Sequence, residues 1–506
     1  MADSDQSGPI KSKFSRDVLT LVTGTTISQI ITILAAPIIT RLYGPEAFGL
    51  LAIFTSITGL IGVIACLRYE LAIMLPKSDE EAANVFGLCI FIVSAVSLLS
   101  IPILALSYQY IEIILNSQDI GNYFWLIPPY VFLSGMFLAL NYWNTRTKHF
   151  HRLAIAQVMR TGSQTGTQLG FGITGYTTGG ILIGATVLGQ VVSTLVLGIQ
   201  ILRNHITFFI RVISTKEMII VLKRYSNFPK YDIWAALLNA FSSILPIFVL
   251  TAYFNPTIVG YYSLGLMVLQ FPLSFIQGAL AQVFFQKAAE AKNISHEQLK
   301  NTVLQMIKPM IFVVFLPVIL FILIGPEIFS VVFGSQWAEA GNYVRFLSLW
   351  IGITFISSPI SILFSIFQKQ QFSLFFNVLQ LILRVVALIT GAVMGSALIA
   401  IILFAIVGFI TNFAAYFYLL RLSGISIMVP IKIVLNFFML SLPFILCILL
   451  FKRIFSPNDL LIVIFSLLIS IGFPLLVIKR DPEVSGVIKS VTTQLPIINK
   501  FTKYLH

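Results

Sequence analysis

Apolar stretches of about 20 residues alternate with short polar segments along this chain, and each is long enough to cross a bilayer as a helix. Only 10% of the 506 residues are charged, whereas a soluble domain carries about a quarter. The pattern predicts an all-α polytopic membrane protein and excludes a soluble enzyme, a disordered chain and a nucleic-acid-binding protein. About fourteen transmembrane helices are predicted, near 18–40, 47–67, 84–107, 122–142, 153–175, 179–202, 231–253, 257–283, 308–330, 343–367, 372–395, 397–420, 430–451 and 459–478.

The Lys and Arg residues indicate the orientation of these helices. Of the 32, we assign 26 to one set of connections and the two tails, and four to the opposite set. Because basic residues accumulate in cytoplasmic loops, we predict that both termini, 1–17 and 479–506, are cytoplasmic. The longest inner connection, 203–230, is predicted to lie along the membrane surface as an amphipathic segment.

Turn residues recur in the two halves of the chain. Two readings are open: a duplicated six-helix unit, which we prefer, or turns of the kind that recur in any polytopic protein. Duplication predicts pseudo-symmetric lobes at 18–202 and 231–420, the parallel-repeat arrangement of some secondary transporters, with two added helices within 430–478. The matches, at offsets of 209 to 224 residues, are Pro37, Pro45 and Gly49 with Pro246, Pro256 and Gly260, and Arg160 with Arg384.

Two arginines, Arg160 and Arg384, fall inside predicted helices without a carboxylate in the core of any span. An arginine at mid-membrane costs at least about 2.5–3.5 kcal/mol unless it meets water or a partner. Each one snorkels, binds backbone carbonyls or faces a wet cavity; a cavity with cations and no acids favours an anionic cargo. Polar residues that could line such a cavity are Gln29, Gln164, Asn239 and Gln270. Pro37 and Pro246 could kink one helix in each half for gating, or simply pack.

Residue patterns of catalysis are missing from the sequence. It has no HExxH, no P-loop, no paired carboxylates and no metal-ligand spacing among its five His and three Cys. We therefore predict a protein that is not an enzyme and needs no cofactor or metal.

Several strings resemble a known family. PIITRLYGPEAFGLLAIFTSI and RYELAIMLPKSDEEA in the first half, and the segment 228–290 in the second, resemble the Wzx-type O-antigen flippases. These form the polysaccharide-transporter branch of the multidrug/oligosaccharidyl-lipid/polysaccharide exporter superfamily. The resemblance implies a MATE-like fold of two six-helix lobes around a cavity, and alternating access. It also implies that Arg68 and Glu70, which match the RYE motif, form an inner gate or structural ion pair.

The implied cargo is an undecaprenyl-pyrophosphate-linked oligosaccharide, flipped from the cytoplasmic to the periplasmic leaflet of the bacterial inner membrane for O-antigen (lipopolysaccharide), capsule or exopolysaccharide. A coupling ion, H⁺ or Na⁺, and polymerase and chain-length partners stay open. The alternatives are a drug exporter of the same fold, disfavoured because the spans hold no acids to bind a cation, and a membrane polysaccharide polymerase, disfavoured by the short outer loops.

Overall fold

The computed structural model describes the backbone of residues 8–115, 119–455 and 458–481, with the side chains of those residues except 8–22, 204–205 and 274–283. Within these ranges the chain is helical. We name the long helices α1–α14: Gly8–Leu42, Pro45–Ile64, Asp79–Ile114, Ile127–Arg146, Phe150–Ile173, Gly179–Val212, Ile233–Tyr253, Pro256–Ile294, His296–Phe333, Ala338–Ile360, Gln370–Val393, Ala397–Leu422, Met428–Phe455 and Asp459–Arg480, the last interrupted at Ile471.

Each predicted helix overlaps one of these, and the predicted all-α fold is confirmed. Twelve helices of the described chain are long and apolar enough to cross a membrane. The twelve do not include α5, which carries the polar run RTGSQTGTQ, or α8, whose side chains are described only in part. The count of fourteen transmembrane helices is therefore approximate.

The bounds differ from the prediction where helices extend beyond the apolar stretch. Helix α1 begins at Gly8, inside the segment predicted as an N-terminal tail, and the predicted surface loop 203–230 contains the end of α6 and a short helix, Thr215–Arg224. Residues 1–7 and 482–506 of the predicted tails lie outside the described residues. The apolar count marks what the bilayer requires, but a helix continues until a turn residue or cap ends it.

Serine caps fix the start of corresponding helices in the two halves. The Ser78 hydroxyl accepts a hydrogen bond from the Glu81 amide at the start of α3, and the Ser295 hydroxyl accepts one from the Gln298 amide at the start of α9. Each side chain satisfies a backbone donor that the first turn leaves free. The two caps are 217 residues apart.

The repeat has a constant register in α5 and α11. Both helices have 24 residues. The turns before them contain Lys148 and Gln368 at φ 59° and 55°, and the turns after them contain Gly175 and Gly395 at φ 90° and 75°. All four φ values lie in the left-handed region that ends helices, and both pairs are 220 residues apart. The two helices therefore share one register, and the duplicated origin stays a prediction.

By packing, the chain divides into two compact units, Met1–Gly260 and Tyr261–His506. The first unit includes α7, which the sequence assigned to the second lobe. The lobe limits 18–202 and 231–420 follow the repeat rather than the packing, and they stay a prediction.

Within the first unit, rings from α3, α4 and α6 form an aromatic core. Phe86 stacks on Phe209 with ring centroids 5.1 Å apart, and Trp143 lies 4.9 Å from Phe209. The first turns of α2 and α8 also cross closely within this unit. A Cβ added to Gly49 would lie 1.8 Å from the Pro256 carbonyl oxygen, and one added to Gly260 would lie 1.9 Å from that of Pro45. The repeated Pro-x-x-x-Gly spacing thus allows two backbones to touch.

Within the second unit, α13 and α14 pack against α9 through Phe315, Phe437 and Phe473, whose ring centroids lie 5.4 to 6.0 Å apart. Two ion pairs add to this contact: Lys452 with Glu327, and Lys308 with Asp481. The two added helices are therefore an integral part of this unit.

Candidate functional site

Arg384, on α11, lies between two aromatic rings. Its guanidinium carbon is 4.6 Å from the centroid of the Trp350 ring on α10 and 4.9 Å from that of Phe404 on α12. The two rings meet edge to face, with centroids 5.0 Å apart. We call Arg384, Trp350 and Phe404 the aromatic arginine site.

No described carboxylate pairs with Arg384. Its Nε is buried without a hydrogen-bond partner in the described structure, whereas Nη1 and Nη2 are not among the buried unpartnered atoms. A cation over an aromatic face gains about 0.5–2 kcal/mol, so two rings supply an amount comparable to the cost of about 2.5–3.5 kcal/mol for a central arginine. The sequence analysis considered water, carbonyls and snorkelling for Arg384, and it did not foresee an aromatic partner.

The register of the repeat corrects the pairing of the two arginines. With an offset of 220, Arg384 corresponds to Gln164, and Arg160 corresponds to Gln380. The arginines occupy positions one helical turn apart on the same face of equivalent helices, rather than equivalent positions.

Arg160 has a looser environment than Arg384. Its guanidinium carbon lies 5.9 Å from the centroid of the Phe137 ring on α4, and no described carboxylate pairs with it. The residue is half-buried. Along the same helix Gly162, Gly166 and Gly170 have no side-chain or remote backbone atom within 4 Å of an added Cβ. These glycines lie on a different face of α5 from Arg160, and that face is open in the described structure.

The other predicted cavity residues are dispersed. Gln164 donates a hydrogen bond to the Thr186 hydroxyl on α6 at 3.2 Å, so it joins two helices. Gln29, on α1, is half-buried with its Oε1 unpartnered. Asn239 and Gln270 are exposed. The part of these four residues in a binding cavity stays a prediction.

A second polar cluster follows α2. The Arg68 Nε donates to Asp232 at 2.7 Å, and its Nη1 lies 3.4 Å from Glu70. Arg68 and the preceding Leu67 have φ values of 68° and 48°, in the left-handed region that is unfavourable for residues with a Cβ. Two consecutive strained residues thus hold the arginine between the two carboxylates, and we call Arg68, Glu70 and Asp232 the Arg68 cluster.

Glu70 is the buried member of the Arg68 cluster. Its side chain is 2% exposed, compared with 43% for Asp232, and its Oε2 has no hydrogen-bond partner in the described structure. Burial raises the pKa of Glu70 above its ordinary value, against the opposing effect of Arg68. The contact with Glu70 agrees with the ion pair that the RYE motif implied. The sequence analysis did not pair Arg68 with Asp232, an acid at a helix end that lies 164 residues away in the chain and has no motif of its own.

A polar recess of 460 Å³ adjoins the Arg68 cluster. It lies beside the first three turns of α7, and Asn239 is one of its lining residues. Its lining is Val63, Arg68, Asp232, Ala235, Ala236, Asn239, Ala240 and Ser243.

The two prolines predicted to gate lie inside continuous helices, Pro37 in α1 and Pro246 in α7. A helix break does occur in α9, where Ile324 has φ −132° and ψ 27° two residues before Pro326. A gating function of Pro37 and Pro246 stays a prediction.

A family profile described as polysaccharide biosynthesis protein matches residues 38–341. The chain belongs to this family. The matched residues include the Arg68 cluster and Arg160 and end before the aromatic arginine site. No curated protein sequence matches the chain.

Solved structures share the fold of this polysaccharide biosynthesis protein. Lipid II flippase MurJ, in an inward closed conformation, has a TM-score of 0.65 at 14% identity, covering 91% of this chain and 99% of that chain. An inward-facing multidrug resistance MATE family transporter of the MOP superfamily has a TM-score of 0.58 at 16% identity, covering 80% and 98%. A mutant of the Vibrio cholerae MATE transporter VcmN has a TM-score of 0.52 at 13% identity, covering 81% and 97%. These likenesses confirm the predicted MATE-like fold.

The two arginine environments of this family member differ in chemistry. Arg68 has two carboxylate neighbours, one that accepts a hydrogen bond from its Nε and one that lies 3.4 Å from its Nη1. Arg384 has aromatic neighbours, which attract a cation without accepting its terminal N–H groups as carboxylates do. The surroundings of Arg384 therefore contain no described carboxylate that would neutralise its charge.

Proposed function

We propose that this protein is a flippase for oligosaccharide repeat units linked to undecaprenyl pyrophosphate, the precursors of O-antigen, capsule or exopolysaccharide. It moves them from the cytoplasmic to the periplasmic leaflet of the bacterial inner membrane by alternating access, with both termini cytoplasmic. Membership of a polysaccharide biosynthesis family supports the sugar cargo. The observation on which the proposal depends is the charge of Arg384, held by rings without a carboxylate.

The energetics suit a pyrophosphate headgroup. Its lipid tail stays in the bilayer while the polar head crosses the membrane. When the membrane potential is inside-negative, the outward movement of two negative charges is favourable by roughly 4–5 kcal/mol per 100 mV. The membrane potential alone can therefore drive the reaction, and a coupling ion, H⁺ or Na⁺, would add to it.

The test is a deletion strain that carries variants of Arg384. Arg384→Ala should lower surface polysaccharide at unchanged protein level, because the anion loses its cation, and Arg384→Lys should retain part of it. Arg160→Ala should be milder. Mass analysis of the deletion strain should find an accumulated lipid-linked oligosaccharide. Normal polysaccharide in the Arg384→Ala strain would contradict the proposed mechanism.

The same strains separate the alternatives. Resistance to cationic dyes on expression, without accumulation of lipid-linked sugar on deletion, would indicate a drug exporter. Lengthening of sugar chains by the purified protein would indicate a polymerase. Neither outcome is expected from a flippase.

A further inference from the structure

We propose that Trp350 is a positioning residue, which holds the Arg384 guanidinium for the pyrophosphate of the cargo, and that Gly408 is required to seat it. This rests on the proposed function of Arg384. Three contacts carry it: the stacking of Arg384 on Trp350 at 4.6 Å, the edge-to-face contact of Trp350 with Phe404, and the approach of Trp350 to Gly408 on α12.

The rings fix the arginine in a way that a carboxylate could not. A carboxylate would accept two parallel hydrogen bonds from the guanidinium and neutralise it. The Trp350 and Phe404 rings instead limit where the guanidinium can lie and leave its terminal donors free. A guanidinium held in one place loses less conformational entropy when it binds an anion.

Trp350 itself is fixed by its surroundings. The residue is 7% exposed, and its Nε1 is buried without a hydrogen-bond partner in the described structure. Packing, rather than a hydrogen bond, therefore holds the indole in place. Against Gly408 the packing is close: an added Cβ would lie 2.6 Å from Trp350 Cδ1 and 2.8 Å from Nε1. Such distances are too short for carbon atoms in contact, so any side chain at 408 must displace the indole.

Tyr262, on α8, completes the environment. Its ring meets Phe404 nearly edge-on, with the ring centroids 6.4 Å apart. It brings no charge that would compete with an anion. The second repeat therefore combines residues from α8, α10, α11 and α12 around one cation.

The equivalent place in the first repeat has different chemistry. There Gln164 donates to Thr186, and Thr186 corresponds to Phe404 with the offset of 218 that separates the caps Thr178 and Ser396. The first repeat therefore has a hydrogen bond between two neutral side chains at the positions where the second repeat has Arg384 and Phe404. The aromatic arginine site is specific to one half of the duplicated fold, as expected for a site that acts on cargo rather than on helix packing.

The experiment measures binding of geranylgeranyl pyrophosphate to the purified full-length protein in detergent micelles by calorimetry, with geranylgeraniol as the uncharged control. Trp350→Leu should weaken pyrophosphate binding about 5- to 30-fold, the range of a desolvated cation–π contact. Trp350→Phe should stay within about threefold of wild type, since it keeps an aromatic face. Binding of the alcohol should not change.

A double-mutant comparison distinguishes positioning from packing. In an Arg384→Met background, Trp350→Leu should cause no further loss, because the indole acts through the arginine. An equal loss in both backgrounds, or unchanged binding in Trp350→Leu, would overturn the positioning role. Pyrophosphate binding that is absent in the wild type or retained in Arg384→Met would instead contradict the proposed function.

Gly408→Ala tests the same point without removing a side chain. It should weaken binding by displacing Trp350, and it should have no effect in the Arg384→Met background. Gly198→Ala is the matched control, because an added Cβ there has nothing within 4 Å. If Trp350→Leu fails to fold, Gly408→Ala decides the question, and unchanged pyrophosphate binding by a folded Gly408→Ala would refute the proposal.

Discussion

Replacing Arg68 should destabilise the protein more than replacing Asp232, although the two share one ion pair. The Asp232 side chain is 43% exposed, so Asp232→Asn removes an interaction of about 0.2–1 kcal/mol. Arg68→Gln also leaves Glu70 buried without a nearby cation. Removing one partner of a fully buried pair costs about 3–5 kcal/mol, and we reduce this to about 2–3 kcal/mol because Arg68 is partly exposed.

The difference should depend on pH in a defined direction. Burial raises the pKa of Glu70 in the folded protein above its ordinary value of 4.5, and without Arg68 it should rise further. A carboxyl group whose pKa is raised by folding favours the folded state at pH values below 4.5, and this contribution is lost as pH rises through the folded pKa. The stability gap between Arg68→Gln and wild type should therefore be larger at pH 8 than at pH 5. Arg68, Asp232, Tyr142 and Cys89 are the titratable or charged groups that interact with Glu70.

Thermal unfolding of the purified protein in micelles measures this at both pH values. A chain of this length should shift by about 1 °C per kcal/mol, so we expect about 2–3 °C for Arg68→Gln and less than about 1 °C for Asp232→Asn at pH 8. Glu70→Gln in the Arg68→Gln background should restore most of the loss. Equal shifts for the two single variants, or no restoration by Glu70→Gln, would refute the reasoning.

Two further predictions concern packing. Gly49→Ala should lower the unfolding midpoint, because the new Cβ would meet the Pro256 carbonyl at 1.8 Å, whereas Gly59→Ala should not, because nothing lies within 4 Å there; equal midpoints would contradict the close crossing of α2 and α8. Lys452→Gln should loosen α13 more than Glu327→Gln, because the Glu327 side chain is 10% exposed and the Lys452 side chain 34%. The unfolding midpoint reports this, and equal midpoints of the two variants would contradict it.

The helices could be predicted because the bilayer imposes a length and an apolarity that each segment shows on its own. The turns of the repeat could be predicted for a similar reason, since Pro45, Gly49 and their counterparts are marked by residue type. The register of α5 and α11 could not. Matching Arg160 with Arg384 was a match of residue types, whereas the left-handed turns at Lys148 and Gln368 show that the backbone is offset by four residues from that match.

The partners of Arg68 and Arg384 could not be predicted from the sequence either. Arg68 and Asp232 are 164 residues apart, and an acid near a helix end has many interpretations. Trp350 and Phe404 are two aromatic residues among many in a chain with 44 Phe and 5 Trp. In both cases tertiary packing selects the partner, and neither a periodicity nor a spacing in the sequence carries that information.

The chemistry of those partners separates the roles of two arginines that are alike in sequence. The Arg68 cation lies between two carboxylates, Asp232 at 2.7 Å and Glu70 at 3.4 Å, whose negative charges would repel a cargo phosphate. A cation between Trp350 and Phe404 gains from the rings and loses nothing to them when an anion arrives, because cation–π attraction and hydrogen bonding use different parts of the guanidinium. An anionic cargo is therefore expected to prefer Arg384, and the Arg68 cluster is expected to respond to proton concentration through Glu70. Variants at Arg384 should change the affinity for pyrophosphate, and variants at Arg68 should change the pH dependence of stability.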